Sequence, residues 1–163
     1  KIPNMMIAAS CSKNFGVYRD RVGAAIVVAE TNSGAKLAED NLKSLNRLTF
    51  SFPPDHGAAV IELILVEPDL KEKWQTELEY MRKGMLDLRL KLSESLRKKT
   101  GSDRFDFISH HRGMFSRLGL TKKNVQVLRE EFGVYMVSDS RINIAGLQSR
   151  NIDFLASSIS KIL

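Results

Sequence analysis

Ser10-Cys11-Ser12-Lys13-Asn14-Phe15-Gly16-Val17-Tyr18-Arg19-Asp20-Arg21-Val22-Gly23 sets a lysine and an arginine among small hydroxyl residues between two apolar runs. Before it, Met5-Met6-Ile7-Ala8-Ala9 stops abruptly at small polar residues, as a buried strand does where it empties into a loop. After it, Val22 to Ala29 is rich in glycine, alanine and valine and predicts a second buried strand. Lys13 is therefore expected on the loop between two strands. A lysine forms an imine only as the free amine, and hydroxyls with a guanidinium bind phosphate. Lys13 beside Ser10 and Ser12, eight residues before Arg21, thus suits a phosphate-bearing aldehyde. On chemistry alone the same pair can be two solvated surface charges.

Downstream, Asn32 and Ser33 offer helix-capping chemistry. From Ala35 the residues Leu37, Ala38, Leu42 and Leu45 recur at three- and four-residue spacing, which predicts a helix to about Arg47. Phe50-Ser51-Phe52-Pro53-Pro54 cannot continue it, because proline lacks an N–H and biases the preceding residue toward extended backbone. An apolar helix is expected over His56 to Val66. Glu67-Pro68-Asp69 opens the longest helix, marked by Trp74, Leu78, Met81, Met85, Leu88 and Leu92, a stripe that reads as packing. Arg97-Lys98-Lys99 suits its C-terminus and Gly101 its termination. Beyond it, extended segments are expected at Phe105 to Ser109 and Gly133 to Val137, with helices at Lys122 to Phe132 and Ser149 to Leu163.

The 163 residues, 43% hydrophobic and 27% charged, fit a soluble domain with its own core, which names no function. The single cysteine, Cys11, excludes an intramolecular disulfide and a multi-cysteine zinc site, and fits a reducing, cytoplasmic setting. No apolar run approaches the roughly 20 residues of a membrane span. The net charge of +6 is spread along the chain, so a nucleic-acid partner is not expected. His56, His110 and His111 lack further ligands at a recognisable spacing, so no metal is expected. The chain opens on Lys1, with no succession resembling a signal peptide, and is expected to have lost an upstream part.

The run Ser-x-Ser-Lys-Asn-Phe-Gly-x-Tyr-x-x-Arg-Val-Gly resembles the signature of the aspartate and aromatic aminotransferases, the first subgroup of the fold-type I pyridoxal-phosphate enzymes. The resemblance makes Lys13 the Schiff-base lysine, Ser10 and Arg21 ligands of the cofactor phosphate, and Tyr18 a neighbour of the lysine. Cys11 stands where aromatic residues are frequent. Asn46-Arg47, followed by Ser51-Phe52-Pro53-Pro54-Asp55-His56-Gly57, resembles the stretch whose arginine binds the side-chain carboxylate of a dicarboxylic substrate. That role falls to Arg47, although Phe52 stands where aspartate aminotransferases usually carry asparagine, and Phe50 where tyrosine is common. Arg112-Gly113-Met114-Phe115-Ser116 resembles the loop whose phenylalanine, here Phe115, lines the substrate cleft. Glu130-Glu131-Phe132-Gly133-Val134-Tyr135 and Ser140-Arg141-Ile142-Asn143-Ile144-Ala145-Gly146 continue the match. Arg141 resembles the arginine that grips the substrate α-carboxylate, a task its planar fork of donors suits.

The resemblance implies an α/β fold: the end of a large cofactor domain, residues 1–80, joined by the long helix to most of a small α+β domain, residues 81–163. It implies pyridoxal 5'-phosphate as cofactor and transamination of aspartate or aromatic amino acids with 2-oxoglutarate. Its partners are amino acid and 2-oxo acid substrates, and a second copy in a homodimer in which Arg47 reaches the neighbouring pocket. Lys13 is expected to hold the cofactor and to move the proton at the substrate α-carbon, while Arg141 and Arg47 fix the pose. Phe52 and Phe115 leave aspartate and aromatic substrates both open. Members of the family are far longer, and nothing before Lys13 supplies their acidic partner of the cofactor ring. The competing expectation is a folded fragment without activity of its own.

Overall fold

Met5–Ser10 (β1) and Gly23–Val28 (β2) pair antiparallel, Met5 opposite Val28 and Ser10 opposite Gly23. They do so in the computed structural model of the chain, which describes residues 2–163. Three helices follow: Asn32–Thr49 (α1), His56–Val66 (α2) and Pro68–Thr100 (α3). The chain divides into two units, Lys1–Leu78 and Glu79–Leu163, and α3 runs from the first into the second.

In the first unit Lys13 lies on the β1–β2 connection, as the flanking apolar runs predict. The predicted burial of the two strands is not observed. Every residue of β1 is exposed, and β2 is exposed except for the half-buried Val27. A two-stranded ribbon covers neither of its own faces, and the burial expected from its sequence needs further layers. The cap of α1 is Thr31 rather than Asn32 or Ser33: its hydroxyl accepts from Gly34 N at 3.1 Å, and its extended backbone (φ −123°) turns the chain into the helix. The Phe50–Pro54 stretch breaks the chain between α1 and α2, as two adjacent prolines require.

Gly57, in the first turn of α2, sets how closely that helix approaches the β1–β2 connection. A Cβ there would run into Val22 Cγ2 and come within 2.7 Å of Asp20 Cβ. The absence of a side chain therefore lets α2 lie against the two residues that flank Arg21. Gly57→Ala is expected to destabilise the protein by about 1–3 kcal/mol through overpacking. The drop should be seen as a lower unfolding midpoint in urea, and an unchanged midpoint would show that this segment yields freely.

The second unit comprises the C-terminal part of α3, Phe107–His110 (α4), Phe115–Arg117 (β3), Lys122–Phe132 (α5), Arg141–Asn143 (β4) and Ile152–Ser160 (α6). It holds the core: Leu92 and Leu96 from α3 meet Phe105, Ile108, Leu128 and Ile159, all without exposed surface. Met85, Leu88 and Leu92 of the predicted α3 stripe face that core at helical spacing, with Leu96 extending it, whereas Met81 of the same stripe is exposed.

The segment expected to be extended at Phe105 to Ser109 is instead a turn of helix. Phe105 and Ile108, three residues apart, both point into the core, and Ile108 N donates to Phe105 O at 3.1 Å. Gly133 to Val137, expected to be extended, takes no regular secondary structure and joins no sheet. It leaves α5 through Gly133 at φ 64°, whose N–H bonds Arg129 O and Leu128 O, the left-handed cap that glycine favours. β3 and β4 pair antiparallel, with Phe115 opposite Asn143 and Arg117 opposite Arg141. The C-terminal helix expected from Ser149 begins as a short 3₁₀ turn, Ser149–Asn151, before α6.

Candidate active site

The β1–β2 connection is closed at its neck by Cys11 N donating to Val22 O at 3.0 Å. Ser10, Ser12 and Arg21 share a hollow of about 340 Å3 whose remaining walls are small residues such as Ala8, Gly23 and Ala24. Ser12 is buried, and its N–H donates to Ser10 Oγ at 3.2 Å. Two hydroxyls and a guanidinium on one concave surface form a donor set suited to a phosphate dianion.

Lys13 is exposed, and its Nζ stands 4.0 Å from the centroid of the Tyr18 ring. Tyr18 also links the two cationic residues, because Arg21 Nη1 donates to Tyr18 O at 2.9 Å. The loop is fastened from outside by Trp74 of α3. Its indole N–H donates to Asn14 O at 2.7 Å, and its ring stacks on Phe15 with centroids 4.5 Å apart and planes within 5°. The residues on both sides of Lys13 are thus held while its amine remains exposed.

Arg47 stands exposed in the last turn of α1, and no ion pair of the described residues includes it.

In the second unit Phe115 and Arg141 come together on the paired strands β3 and β4, the guanidinium 5.0 Å from the phenyl centroid. Both line an open hollow of about 670 Å3, with Val134, Tyr135, Asn143 and Phe154 among its other walls. An exposed guanidinium against an aromatic face beside an apolar hollow can take a carboxylate whose attached group is apolar. Asp139 prepares this geometry from below. Its Oδ1 accepts from Arg141 N at 3.1 Å, and its Oδ2 accepts from Arg117 Nε and Nη2 at 3.0 and 2.6 Å. The Arg117 fork holds the Asp139 carboxyl below its usual pKa, and the Arg141 N–H adds to that effect.

Among the described residues the non-glycine positions with left-handed backbone are Arg21 (φ 53°), Ser51 (φ 67°) and Ser140 (φ 61°). Each falls within one of the motifs carrying a candidate residue: Arg21 itself, Ser51 just after Arg47, and Ser140 immediately before Arg141. Such conformations cost about 1–3 kcal/mol each and persist only where the surroundings enforce them. Ser140 is so enforced: its hydroxyl accepts from Leu120 N and its carbonyl from Leu118 N, both at 3.1 Å.

Two contributors were not singled out from sequence for the roles they play. Trp74 reads as one more member of the α3 stripe, although it grips the lysine loop. Asp139 has no sequence signal beyond its place two residues before Arg141. Among the described residues no helix is long and apolar enough to cross a membrane.

The chain belongs to the aminotransferase class I and II family, whose profile matches residues 1–159, and its fold is part of the fold-type I architecture. It is 51% identical over 162 residues to the aromatic-amino-acid aminotransferase of Paracoccus denitrificans, covering 99% of this chain and 41% of that protein. It is 40% identical over 159 residues to the aspartate aminotransferase of Escherichia coli K12, covering 98% of this chain and 40% of that protein. A crystal structure of the aromatic-amino-acid aminotransferase from Burkholderia pseudomallei, covalently bound to pyridoxal phosphate, superimposes with a TM-score of 0.86 at 40% identity. That superposition covers 98% of this chain and 40% of the Burkholderia chain. The chain therefore spans about two fifths of the length of the relatives it matches.

Proposed function

We propose that the protein carrying this chain is a pyridoxal-phosphate-dependent transaminase that exchanges amino groups between aspartate or aromatic amino acids and 2-oxoglutarate. In this reading residues 1–80 form the end of its large cofactor domain and residues 81–163 most of its small domain. The observation that carries the proposal is the β1–β2 connection, which carries the exposed Lys13 next to Ser12 on the loop whose Ser10, Ser12 and Arg21 share one hollow. These residues fit the cofactor: the hydroxyls and guanidinium match its phosphate, and the adjoining amine matches its aldehyde. The bound Burkholderia relative supports the same choice.

Pyridoxal phosphate, when bound, supplies an aldehyde carbon for amines and a ring that accepts the electrons of a broken bond at the substrate α-carbon. Ser10, Ser12 and Arg21 would hold its phosphate, and Lys13 Nζ would hold its aldehyde carbon. Lys13 Nζ would also be the base that carries the proton away from the substrate α-carbon. Trp74 and Tyr18 keep the amine in place for that transfer. Arg141 takes the α-carboxylate in a two-pronged contact, with Phe115 backing the guanidinium. Substrate is thereby fixed through a group common to amino acids and 2-oxo acids, and the proton transfer becomes effectively intramolecular. Arg47, exposed at the end of α1, serves the second carboxylate of a dicarboxylic substrate in the pocket of a partner copy, which makes the working enzyme a homodimer.

A second reading is favoured by one observation. Of its large hydrophobic residues the first unit buries only Ile61, whereas the second has a continuous core. The 163 residues alone would then be a folded piece without activity, and the chemistry would belong to the longer protein.

The test is to incubate the purified full-length protein with pyridoxal phosphate, reduce it with borohydride and map the modified peptide by mass. Stable labelling confined to Lys13 is expected. Labelling scattered over the surface lysines, or none, would reject the cofactor site. The same treatment of the 163 residues alone separates the two readings, since only a self-sufficient site labels Lys13 selectively.

A further inference from the structure

Arg89 of α3 has no exposed surface, and no carboxylate of the described residues lies within ion-pair distance of it. Burial, with the neighbouring Arg112 charge, pulls its pKa below the ordinary guanidinium value. A methionine in its place would continue the Met85–Leu92 face without the cost of burying a charge, so packing does not account for an arginine here.

Its hydrogen bonds do. Nη1 donates to Ile108 O at 3.2 Å and to Ser116 Oγ at 2.6 Å, while Nη2 donates to Gly113 O at 2.7 Å and to Phe115 O at 3.1 Å. Three of these acceptors bracket Met114 and Phe115. Ser116, buried, is tied a second time by a 3.1 Å contact between its hydroxyl and His111 Nδ1. The segment so held carries the Phe115 ring against which the Arg141 guanidinium lies, and pairs with the strand that begins at Arg141.

We propose that Arg89 is a positioning residue for the carboxylate-binding pair. By fixing the backbone on both sides of Phe115 it sets the ring that orients Arg141, and so controls affinity for the substrate carboxylate without touching it. This rests on the reading of Arg141 as the carboxylate-binding arginine.

The experiment uses the full-length holoenzyme and the variants Arg89→Lys, Ser116→Ala and Arg141→Lys. It measures KM and kcat for phenylalanine, the dissociation constant of the unreactive carboxylate 3-phenylpropanoate, and the absorption spectrum of the bound cofactor. Lysine cannot span four acceptors, so Arg89→Lys is expected to raise KM and the probe's dissociation constant about tenfold. Ser116→Ala is expected to raise both about threefold. In each, kcat should stay within about twofold and the spectrum should be unchanged, a split that general loosening of the fold would not produce. Unchanged KM and probe affinity in both, with only a lower melting temperature, would overturn the proposal. If Arg89→Lys does not fold, the probe affinity of Ser116→Ala decides by the same criterion. Arg141→Lys separates the layers: if it binds the probe as tightly as the wild type, the carboxylate reading itself fails. If it loses the probe while the other two variants keep it, the role of Arg89 alone fails.

Discussion

Lys13→Ala is expected to lower kcat/KM for transamination in the full-length enzyme by roughly ten-thousandfold, the upper range for loss of a positioned proton-transfer group. No other amine of the described chain is placed by the β1–β2 connection, whose neck is closed between Cys11 and Val22 and whose body is pinned by Trp74. Lys13→Arg should be as damaging. It keeps the positive charge beside Tyr18, but a guanidinium neither gives up its proton near neutrality nor condenses with an aldehyde. Ser10, Ser12 and Arg21, the proposed phosphate donors, are untouched by either change, so both variants should still take up cofactor, non-covalently, and lose it on dialysis more readily than the parent. A residual activity within about tenfold of wild type would remove Lys13 from the chemistry.

Arg141→Lys comes next in size. Replacing a two-pronged guanidinium with a point charge forfeits one charge-assisted bond to the carboxylate and the stacking on Phe115, together about 3 kcal/mol, or roughly a hundredfold in kcat/KM. The loss should be shared by amino acid and 2-oxo acid substrates, since both carry the carboxylate that Arg141 is proposed to take. A steady-state comparison with phenethylamine, which lacks a carboxylate, is the internal control: its already slow turnover should be unaffected. An equal loss with phenethylamine would mean that the substitution disturbs the site generally. The backbone that delivers Arg141 is independently anchored through Asp139 and Ser140, so the side chain can be exchanged without unseating the strand.

Sequence made the placement of Lys13 legible because the signal is local. An apolar run, a polar interval and a second apolar run need no tertiary information to become strand, loop and strand. The long helix α3, the apolar helix α2 and the capped helix α5 were legible for the same reason, each carrying enough turns for its period to register. β3 and β4 were not. Three residues each, they are shorter than any period that could distinguish them, and it is the burial of the opposed Ser116 and Ile142 that fixes their pairing. Phe105 to Ser109 was misread because two apolar residues three apart fit a helical turn as well as an irregular strand, and only the core to which Phe105 and Ile108 point decides between them. The candidate site residues leave a signal in the sequence where they stand in a family motif. A residue that acts through another leaves none. Trp74, Arg89 and Asp139 are distant in sequence from what they hold, or silent in composition, and each has a backbone atom among its partners, which leaves no trace in the residue string.

The left-handed backbones at Arg21, Ser51 and Ser140 set a limit on how this protein can be hardened. Glycine at any of them would release the strain, so a library screened for survival at high temperature alone has every reason to enrich it there. At position 21 that gain deletes the guanidinium outright. At 140 it removes the hydroxyl that accepts from Leu120 N, just before Arg141. Thermal robustness and working geometry therefore pull in opposite directions at Arg21 and Ser140, and a selection that rewards only the first will trade away the second.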